Sequence, residues 1–77
     1  MTASRQLDAR GLKCPLPVLK ARKAMKALAA GERLEVLASD PSAPQDFRSF
    51  CETTGHRLLE SGEAEGVYRF VLEKSGP

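Results

Sequence analysis

The spacing of apolar residues switches between the strand period and the helical period along the chain, and this alternation constrains the fold more than any other feature. Residues 5–9 and 33–39 alternate polar with apolar side chains, which is typical of half-buried strands. Residues 15–29 instead repeat apolar side chains at helical spacing, and Gly31 follows as a stop signal. The inner face of this first helix is predicted to contain Val18, Ala21, Ala24, Met25, Leu28 and Ala29.

A second helix is predicted after the turn at residues 40–44. Ser42 and Gln45 have the spacing of a capping box, and Gly55 is placed to end the helix. The side chains that share its inner face are Ala43, Phe47, Phe50, Cys51 and Thr54.

Two strands joined by a turn complete the chain, with residues 56–61 as the third strand, 62–66 as the turn and 67–74 as the fourth strand. The order βαβαββ predicts that the first two strands pair in parallel and that the last two add an antiparallel hairpin. We therefore expect one domain over residues 1–77. It should be an α/β (α+β) two-layer sandwich with a four-stranded mixed sheet and two helices on one face.

Charge is unevenly distributed, although the 77 residues carry a net charge of only +2. Between residues 9 and 31 there is no acidic side chain, and the cations there are Arg10, Lys13, Lys20, Arg22, Lys23 and Lys26. This stretch predicts either a basic binding face or an ordinary solvated helix face.

The two cysteines, Cys14 and Cys51, are too few for the disulfide framework of a small secreted domain. No apolar run reaches the length of a membrane span or a secretory signal. We expect a cytoplasmic protein with reduced thiols, and nothing in the sequence predicts an obligate dimer, so a monomer is expected.

Cys14 stands directly before a proline-braced helix start, in the stretch "LKCPLP" at residues 12–17. Pro15 suits the first helical position, and Pro17 is tolerated within the first turn. Cys14 would then occupy the helix cap, where the two prolines hold the thiol in a defined direction.

The helix N-terminus alone contributes only about 0.3–1 kcal/mol toward stabilising a thiolate. Arg10, Lys13 or Lys20 would have to add to it, and together they predict a moderately lowered pKa for the Cys14 thiol. A small buried hydrophobe is the alternative interpretation of Cys14.

Other chemistries fit the sequence poorly. The single histidine, His56, lies directly after the predicted second helix, far along the chain from Cys14, so a Cys/His catalytic pair is not expected. Pro17 stands where a redox motif has its second cysteine, and two cysteines with one histidine do not make a zinc site. No cofactor or metal is therefore expected. Cys51 should pack in the core beside Phe47 and Phe50, although a Cys14–Cys51 disulfide is compatible with the sequence.

The first helix also presents leucines on its outer face. Leu16 and Leu19 project away from the core among lysines, which favours a protein-docking patch beside the thiol. Alternatively, one leucine tucks under the preceding loop. The predicted docking residues are Arg10, Leu16, Leu19, Lys20 and Lys23.

Five short stretches share the pattern of one known family: "LDARGLKCPLP" (7–17), "GE" (31–32), "DP" (40–41), "DFRSFC" (46–51) and "GH" (55–56). Through them the sequence resembles the TusA/SirA-like sulfur-carrier family over most of its length. The resemblance implies a βαβαββ sandwich whose Cys14 carries sulfur as a persulfide, framed by Gly11, Lys13, Pro15 and Pro17. It also implies a sulfurtransferase acting as a relay, with a cysteine desulfurase or rhodanese-type donor and a downstream acceptor protein.

Further positions match the family without a defined role. Gly11 and Pro41 are interpreted as structural, and Asp8 and Asp40 as loop-ordering or partner-contacting residues. His56 also matches, with no evident chemical task. Because the residue between the two prolines varies among branches, its being leucine here leaves three pathways open. They are tRNA thiolation, molybdenum-cofactor enzymes and sulfur oxidation.

Two other functions compete with the sulfur carrier. A nucleic-acid or regulatory module would use the basic first helix, but the near-neutral charge and few aromatic residues argue against direct nucleic-acid binding. A thiol sensor would oxidise Cys14 and resolve it with Cys51, which the expected core position of Cys51 opposes.

Overall fold

The computed structural model describes residues 5–76, and their elements follow the predicted order. They are β1 (Arg5–Ala9), α1 (Leu16–Lys26), β2 (Arg33–Ala38), α2 (Ala43–Thr54), β3 (Arg57–Ala64) and β4 (Val67–Glu73). The strands form one sheet in the order β1-β2-β4-β3. The expected two-layer sandwich, with a four-stranded mixed sheet and two helices, is confirmed.

Strand pairing brings the ends of β1 and β2 to one edge of the sheet. These two strands are parallel, and their last residues, Ala9 and Ala38, are register partners. β4 pairs antiparallel with both β2 and β3. The loops that follow β1 and β2 therefore leave the sheet side by side, and Cys14 lies in the first of them.

The core lies between the helices and one face of the sheet. Phe47 of α2 stacks on Phe70 of β4 with ring centroids 4.7 Å apart, and Phe50 meets Phe47 edge-on at 6.5 Å. The other large, fully buried side chains of this cluster are Met25, Leu34, Val36 and Leu72. Both helices bury the faces that their periodicity predicted, apart from Ala29, which is exposed.

The opposite face of the sheet is covered by a row of polar side chains that crosses all four strands. Gln6 donates to Glu35 at 2.5 Å, Arg69 pairs with Glu35, and Arg69 also donates to Glu60 at 2.6 Å. Val71 is buried on the same sheet face. This row of charged and amide groups contrasts with the outer face of α1, which exposes Leu16 and Leu19.

Helix α1 is shorter than the sequence predicted. It begins at Leu16 and ends at Lys26, because the Ala27 N–H donates to the Ala24 carbonyl and so tightens the last turn. Among the residues that the structure describes, neither helix combines the length and apolarity needed to cross a membrane.

The predicted capping box of α2 is wrong. Ser42 does occupy the N-cap, but its side chain makes no capping hydrogen bond. Its backbone N–H instead donates to Asp40 Oδ1 at 3.1 Å, and the Asp40 carbonyl accepts from the Ala43 N–H at 2.9 Å. Asp40 therefore organises the start of this helix.

The final hairpin is tighter than the predicted five-residue turn. β3 continues to Ala64, so Glu65 and Gly66 alone connect it to β4. Both have positive φ, 52° and 81°, as a two-residue type I′ turn requires. Gly66 adopts this conformation without strain. The apolar periodicity of residues 62–66 did not indicate that residues 62–64 continue the strand.

Replacing Phe47 by alanine should lower the free energy of unfolding by about 3–5 kcal/mol, because it removes a fully buried ring from a small core. Urea unfolding measures the loss. Leu59→Ala is the matched control, since Leu59 is 37% exposed on an edge strand and should change stability by no more than about 0.5 kcal/mol. A loss below about 1 kcal/mol for Phe47→Ala would contradict this view of the core.

Candidate functional site

The loop between β1 and α1 holds Cys14 at the edge of the sheet. The loop turns at Gly11, whose φ of 82° disfavours other residues. The Gly11 N–H donates to Ser39 Oγ at 2.8 Å, and this bond joins the loop to the end of β2. Cys14 is exposed five residues after the buried Ala9.

Asp40 fastens the cysteine loop to the loop that follows β2. Its Oδ2 accepts a 2.5 Å hydrogen bond from the Cys14 N–H, while its Oδ1 accepts from Ser42. These two backbone hydrogen bonds, that from Cys14 first, hold the pKa of Asp40 below its usual value, and the charge of Lys13 adds to the effect. Asp40 thereby fixes the backbone of the cysteine.

The helix start differs from the prediction by one residue. Pro15 is the N-cap and Leu16 the first helical residue, so Cys14 lies one position outside the cap. Pro15 and Pro17 have no N–H, and the Leu16 N–H donates to the Lys13 carbonyl at 2.8 Å. These three positions therefore offer the sulfur no donor, which weakens the expected stabilisation of a thiolate by the helix N-terminus.

Arg10, the first residue after β1, forms a salt bridge with Asp8 near the end of that strand. Arg10 Nε and Nη2 donate to the two carboxylate oxygens of Asp8, each at 2.9 Å, and the Arg10 N–H adds a third bond. The side-chain bonds and then the backbone bond lower the pKa of Asp8 to about 2. Arg10 is thus already paired with the Asp8 carboxylate and does not stabilise a thiolate at Cys14.

The thiol of Cys14 faces acid. It donates a hydrogen bond to the Asp46 carboxylate, and this bond, followed by desolvation and the charges of Asp46 and Asp40, raises the pKa of the thiol above its usual value. The expected lowering of this pKa is therefore wrong for the free protein. Two of the three cations assigned to it act elsewhere, Arg10 on Asp8 and Lys13 on Asp40, and Lys20 is not among the groups that shift this pKa.

A shallow cleft of about 250 Å³ opens beside the sulfur, between the first turns of α1 and the outer side of α2. Its walls are Cys14, Pro15, Val18, Arg22, Asp46, Ser49, Phe50 and Thr53. A side chain or a short loop of another protein would fit such a groove, whereas a small-molecule substrate would remain largely exposed.

A larger hollow, of about 360 Å³, lies on the open face of the sheet and includes Glu60 and Arg69. It contains neither cysteine, and Leu37, Ala64 and Val67 line it together with these two residues of the polar row. The cleft beside Cys14 is therefore the better candidate, because it alone of the two contains a thiol.

The predicted docking residues are all exposed, and none of them lines the cleft beside Cys14. Leu16 and Leu19 are 47% and 51% exposed, which removes the alternative that one tucks under the loop. Lys20 and Lys23 are exposed on the same helix, and Arg10 is exposed but paired with Asp8.

Cys51 and His56 are parts of the fold. Cys51 is buried beside Phe50, as predicted, and burial raises the pKa of its thiol. His56 Nδ1 accepts from the Ser75 N–H at 3.1 Å, which ties the end of β4 to the end of α2. Burial and then the charge of Lys74 lower the pKa of His56, which favours the neutral ring that this bond needs.

Metal ligation has no support in residues 5–76, where no group of three or more His, Cys, Asp or Glu side chains is placed to hold an ion. Cys14 and Asp46 are two such groups together, but the cleft adds only Arg22 as a further charged side chain. The arrangement fits sulfur chemistry at a single thiol.

Comparisons with known proteins agree with this geometry. Residues 5–74 match the family model described as Sulfurtransferase TusA. The chain is 46% identical over 70 residues to the sulfur carrier protein TusA of Allochromatium vinosum, covering 91% of this chain and 92% of that one. It is 50% identical over 70 residues to a Neisseria meningitidis serogroup A protein provisionally named a sulfur carrier, covering 91% and 95%.

A solved structure resembles the fold. The crystal structure of a SirA-like protein from Desulfitobacterium hafniense has a TM-score of 0.82 and 30% sequence identity, covering 92% of this chain and 97% of that one. This chain belongs to the TusA family of sulfur carriers.

Sequence reasoning missed Asp46 as a neighbour of the sulfur. It is the first residue of "DFRSFC", a stretch that resembles the family, and it lies in the first turn of α2. Its proximity to Cys14 depends on how the two helices pack, which periodicity along one helix does not specify.

Substituting Asp40 by asparagine should make stability less dependent on pH in acid. The pKa of Asp40 is lowered by folding, so its stabilising effect is complete above the unfolded value of about 3.9 and is lost as pH falls through the folded value. Urea midpoints should therefore be lower for Asp40→Asn near neutral pH and converge with the wild type in acid. Glu52→Gln on the exposed side of α2 is the control, and a constant offset at all pH values for Asp40→Asn would contradict the assignment.

Proposed function

We propose that Cys14 carries sulfane sulfur as a persulfide, which it receives from a cysteine desulfurase or a rhodanese-type protein and passes to an acceptor protein. The observation that carries the proposal is the exposed sulfur of Cys14, held by a fixed backbone in a chain of the TusA family. A sulfur carrier must contact both a donor and an acceptor, and an exposed cysteine beside an open cleft suits both encounters.

The transfer is an exchange between sulfur atoms. The Cys14 thiolate attacks the outer sulfur of the donor persulfide, a new S–S bond forms, and the donor's S–S bond breaks. The electron pair leaves with the donor's cysteine sulfur, and the thiol proton of Cys14 passes to a group of the donor or to solvent. Delivery repeats the same exchange with an acceptor thiolate, so neither step needs an oxidant or a cofactor.

A relay suits this site better than a multi-turnover enzyme does. The single histidine of the chain, His56, is bonded to the backbone of Ser75 and contributes to the fold. The cleft is shallow, and its charged side chains are Arg22 and Asp46. A partner protein would therefore supply any proton acceptor, and the carrier would act as a small, single-domain and monomeric cytoplasmic shuttle.

The docking surface of the carrier is proposed to be the outer face of α1 around the cysteine. Leu16 and Leu19 supply exposed apolar area, and Lys20 and Lys23 surround it with positive charge. Such an apolar centre with a charged rim is typical of protein interfaces. Leu16 between the two prolines leaves the acceptor open among tRNA thiolation, molybdenum-cofactor enzymes and sulfur oxidation.

Persulfide loading tests the function directly. Incubation with a cysteine desulfurase and cysteine should add the mass of one sulfur atom to wild-type protein and to Cys51→Ser. Cys14→Ser should gain none, because the exposed sulfur is the acceptor. Mass spectrometry of the intact protein and of its peptides measures the addition.

Sulfur gained by Cys14→Ser would overturn the assignment to Cys14. RNA binding with a steep salt dependence, unchanged by Cys14→Ala, would instead favour the nucleic-acid module. A disulfide between Cys14 and Cys51 after mild peroxide would favour the thiol sensor.

The docking surface has its own test, run with whichever donor loads the wild-type protein. Leu19→Glu should slow persulfide transfer at limiting carrier by about 10-fold, because losing an interface anchor costs about 1–2 kcal/mol. Leu59→Glu is the matched control, since Leu59 is also exposed but lies on β3. Equal rates for the two variants would place the docking surface elsewhere.

A further inference from the structure

The charged groups that act on the Cys14 thiol are acidic, and they disfavour the thiolate in the free protein. The site groups that face the sulfur are Asp46 of α2, Asp40 of the loop after β2 and, across the cleft, Arg22 of α1. On the loop of the cysteine itself, Lys13 acts on Asp40 and Arg10 is held by Asp8. Within the cleft the charged side chains are Asp46 and Arg22, and the groups that act on the thiol are the carboxylates of Asp46 and Asp40, which both raise its pKa.

Asp46 has a different relation to the cysteine from that of Asp40. Asp40 accepts from the backbone N–H of Cys14 and so serves the loop conformation. Asp46 accepts from the thiol itself, and its own position is set by the first turn of α2, where an acidic residue is favoured. Asp46 is half-buried in the cleft wall, so its carboxylate is less screened than one on an open surface.

We propose that Asp46, which lines the same cleft as Cys14, is a positioning residue that accepts a hydrogen bond from the Cys14 thiol and so keeps the free carrier as an unreactive thiol until a partner protein displaces or neutralises its carboxylate. This inference rests on the proposed function of Cys14. It adds that the Cys14 sulfur becomes reactive in the complex with a partner protein and is unreactive in the free protein.

The arrangement gives an exposed thiol selective reactivity. The thiolate is the form of cysteine that reacts with alkylating agents and with peroxide. A thiol that is kept protonated by its hydrogen bond to a carboxylate is therefore protected from both. A docking partner that brings a cation near Asp46 would remove this protection only in the complex, at the point of transfer. The partner chemistry that fits is a positively charged side chain presented to the cleft between α1 and α2.

Alkylation of the full-length protein by iodoacetamide, followed across a range of pH, tests the proposal. Peptide mapping separates modification at Cys14 from modification at Cys51. Asp46→Asn should move the midpoint of the Cys14 profile to lower pH and raise the rate near neutral pH by about threefold per pKa unit. The gain is below tenfold because the intrinsic reactivity of a thiolate falls as its pKa falls.

Two control variants distinguish an electrostatic role from a structural one. Asp46→Glu keeps the carboxylate and should restore a profile close to that of the wild type. Glu52→Gln removes an exposed carboxylate of the same helix and should leave the profile unchanged. A folded Asp46→Asn protein with the wild-type midpoint would overturn the proposal.

A measurement on the wild-type protein keeps the test independent of how the variants fold. The midpoint for Cys14 in the native protein should lie above that of the same cysteine in urea, where a free thiol titrates near about 8.5. A native midpoint equal to or below the unfolded one would exclude the role of Asp46. Neither readout involves sulfur transfer, so a Cys14 that accepted no persulfide would contradict the proposed function and leave the assignment of Asp46 to be judged by alkylation.

Discussion

The parallel pairing of β1 with β2 is the constraint on which the site depends. Because Ala9 and Ala38 are register partners, the loops that follow the two strands leave the sheet at adjacent points. Two hydrogen bonds then join those loops, from Gly11 to Ser39 Oγ and from Cys14 to Asp40. An antiparallel pair would have sent these loops to opposite ends, and the cysteine would have lacked its backbone anchor.

The reactivity of Cys14 follows from how the charges of these loops pair with one another. The sequence places cations close to the cysteine along the chain, but Arg10 is engaged by Asp8 and the charge of Lys13 is directed at Asp40. Asp46, 32 positions further along the chain, is the group that contacts the thiol. The cations close to Cys14 in sequence predicted a lowered pKa for its thiol, whereas the contacts formed on folding raise that pKa.

The fold was largely predictable, because apolar periodicity reports which residues face a core. The order of the elements, the inner face of α2 and the burial of Cys51 follow from that periodicity alone. The element boundaries that were predicted wrongly are those set by the local backbone conformation. They are the end of α1 at Lys26 and the two-residue turn at Glu65 and Gly66. The cap of α2 was misassigned because Asp40 takes the role expected of the Ser42 side chain.

By itself the sequence determined the architecture, the distinction between an exposed Cys14 and a core Cys51, and the leucines that flank the exposed sulfur. These depend on local periodicity and on the proline-rich helix start. The tertiary structure alone decided which side chains touch the sulfur, because the contact with Asp46 requires the first turn of α2 to pack beside the cysteine loop. Contacts between residues far apart in sequence set the direction of this pKa shift, and the order of charged residues along the chain does not show which of them come into contact.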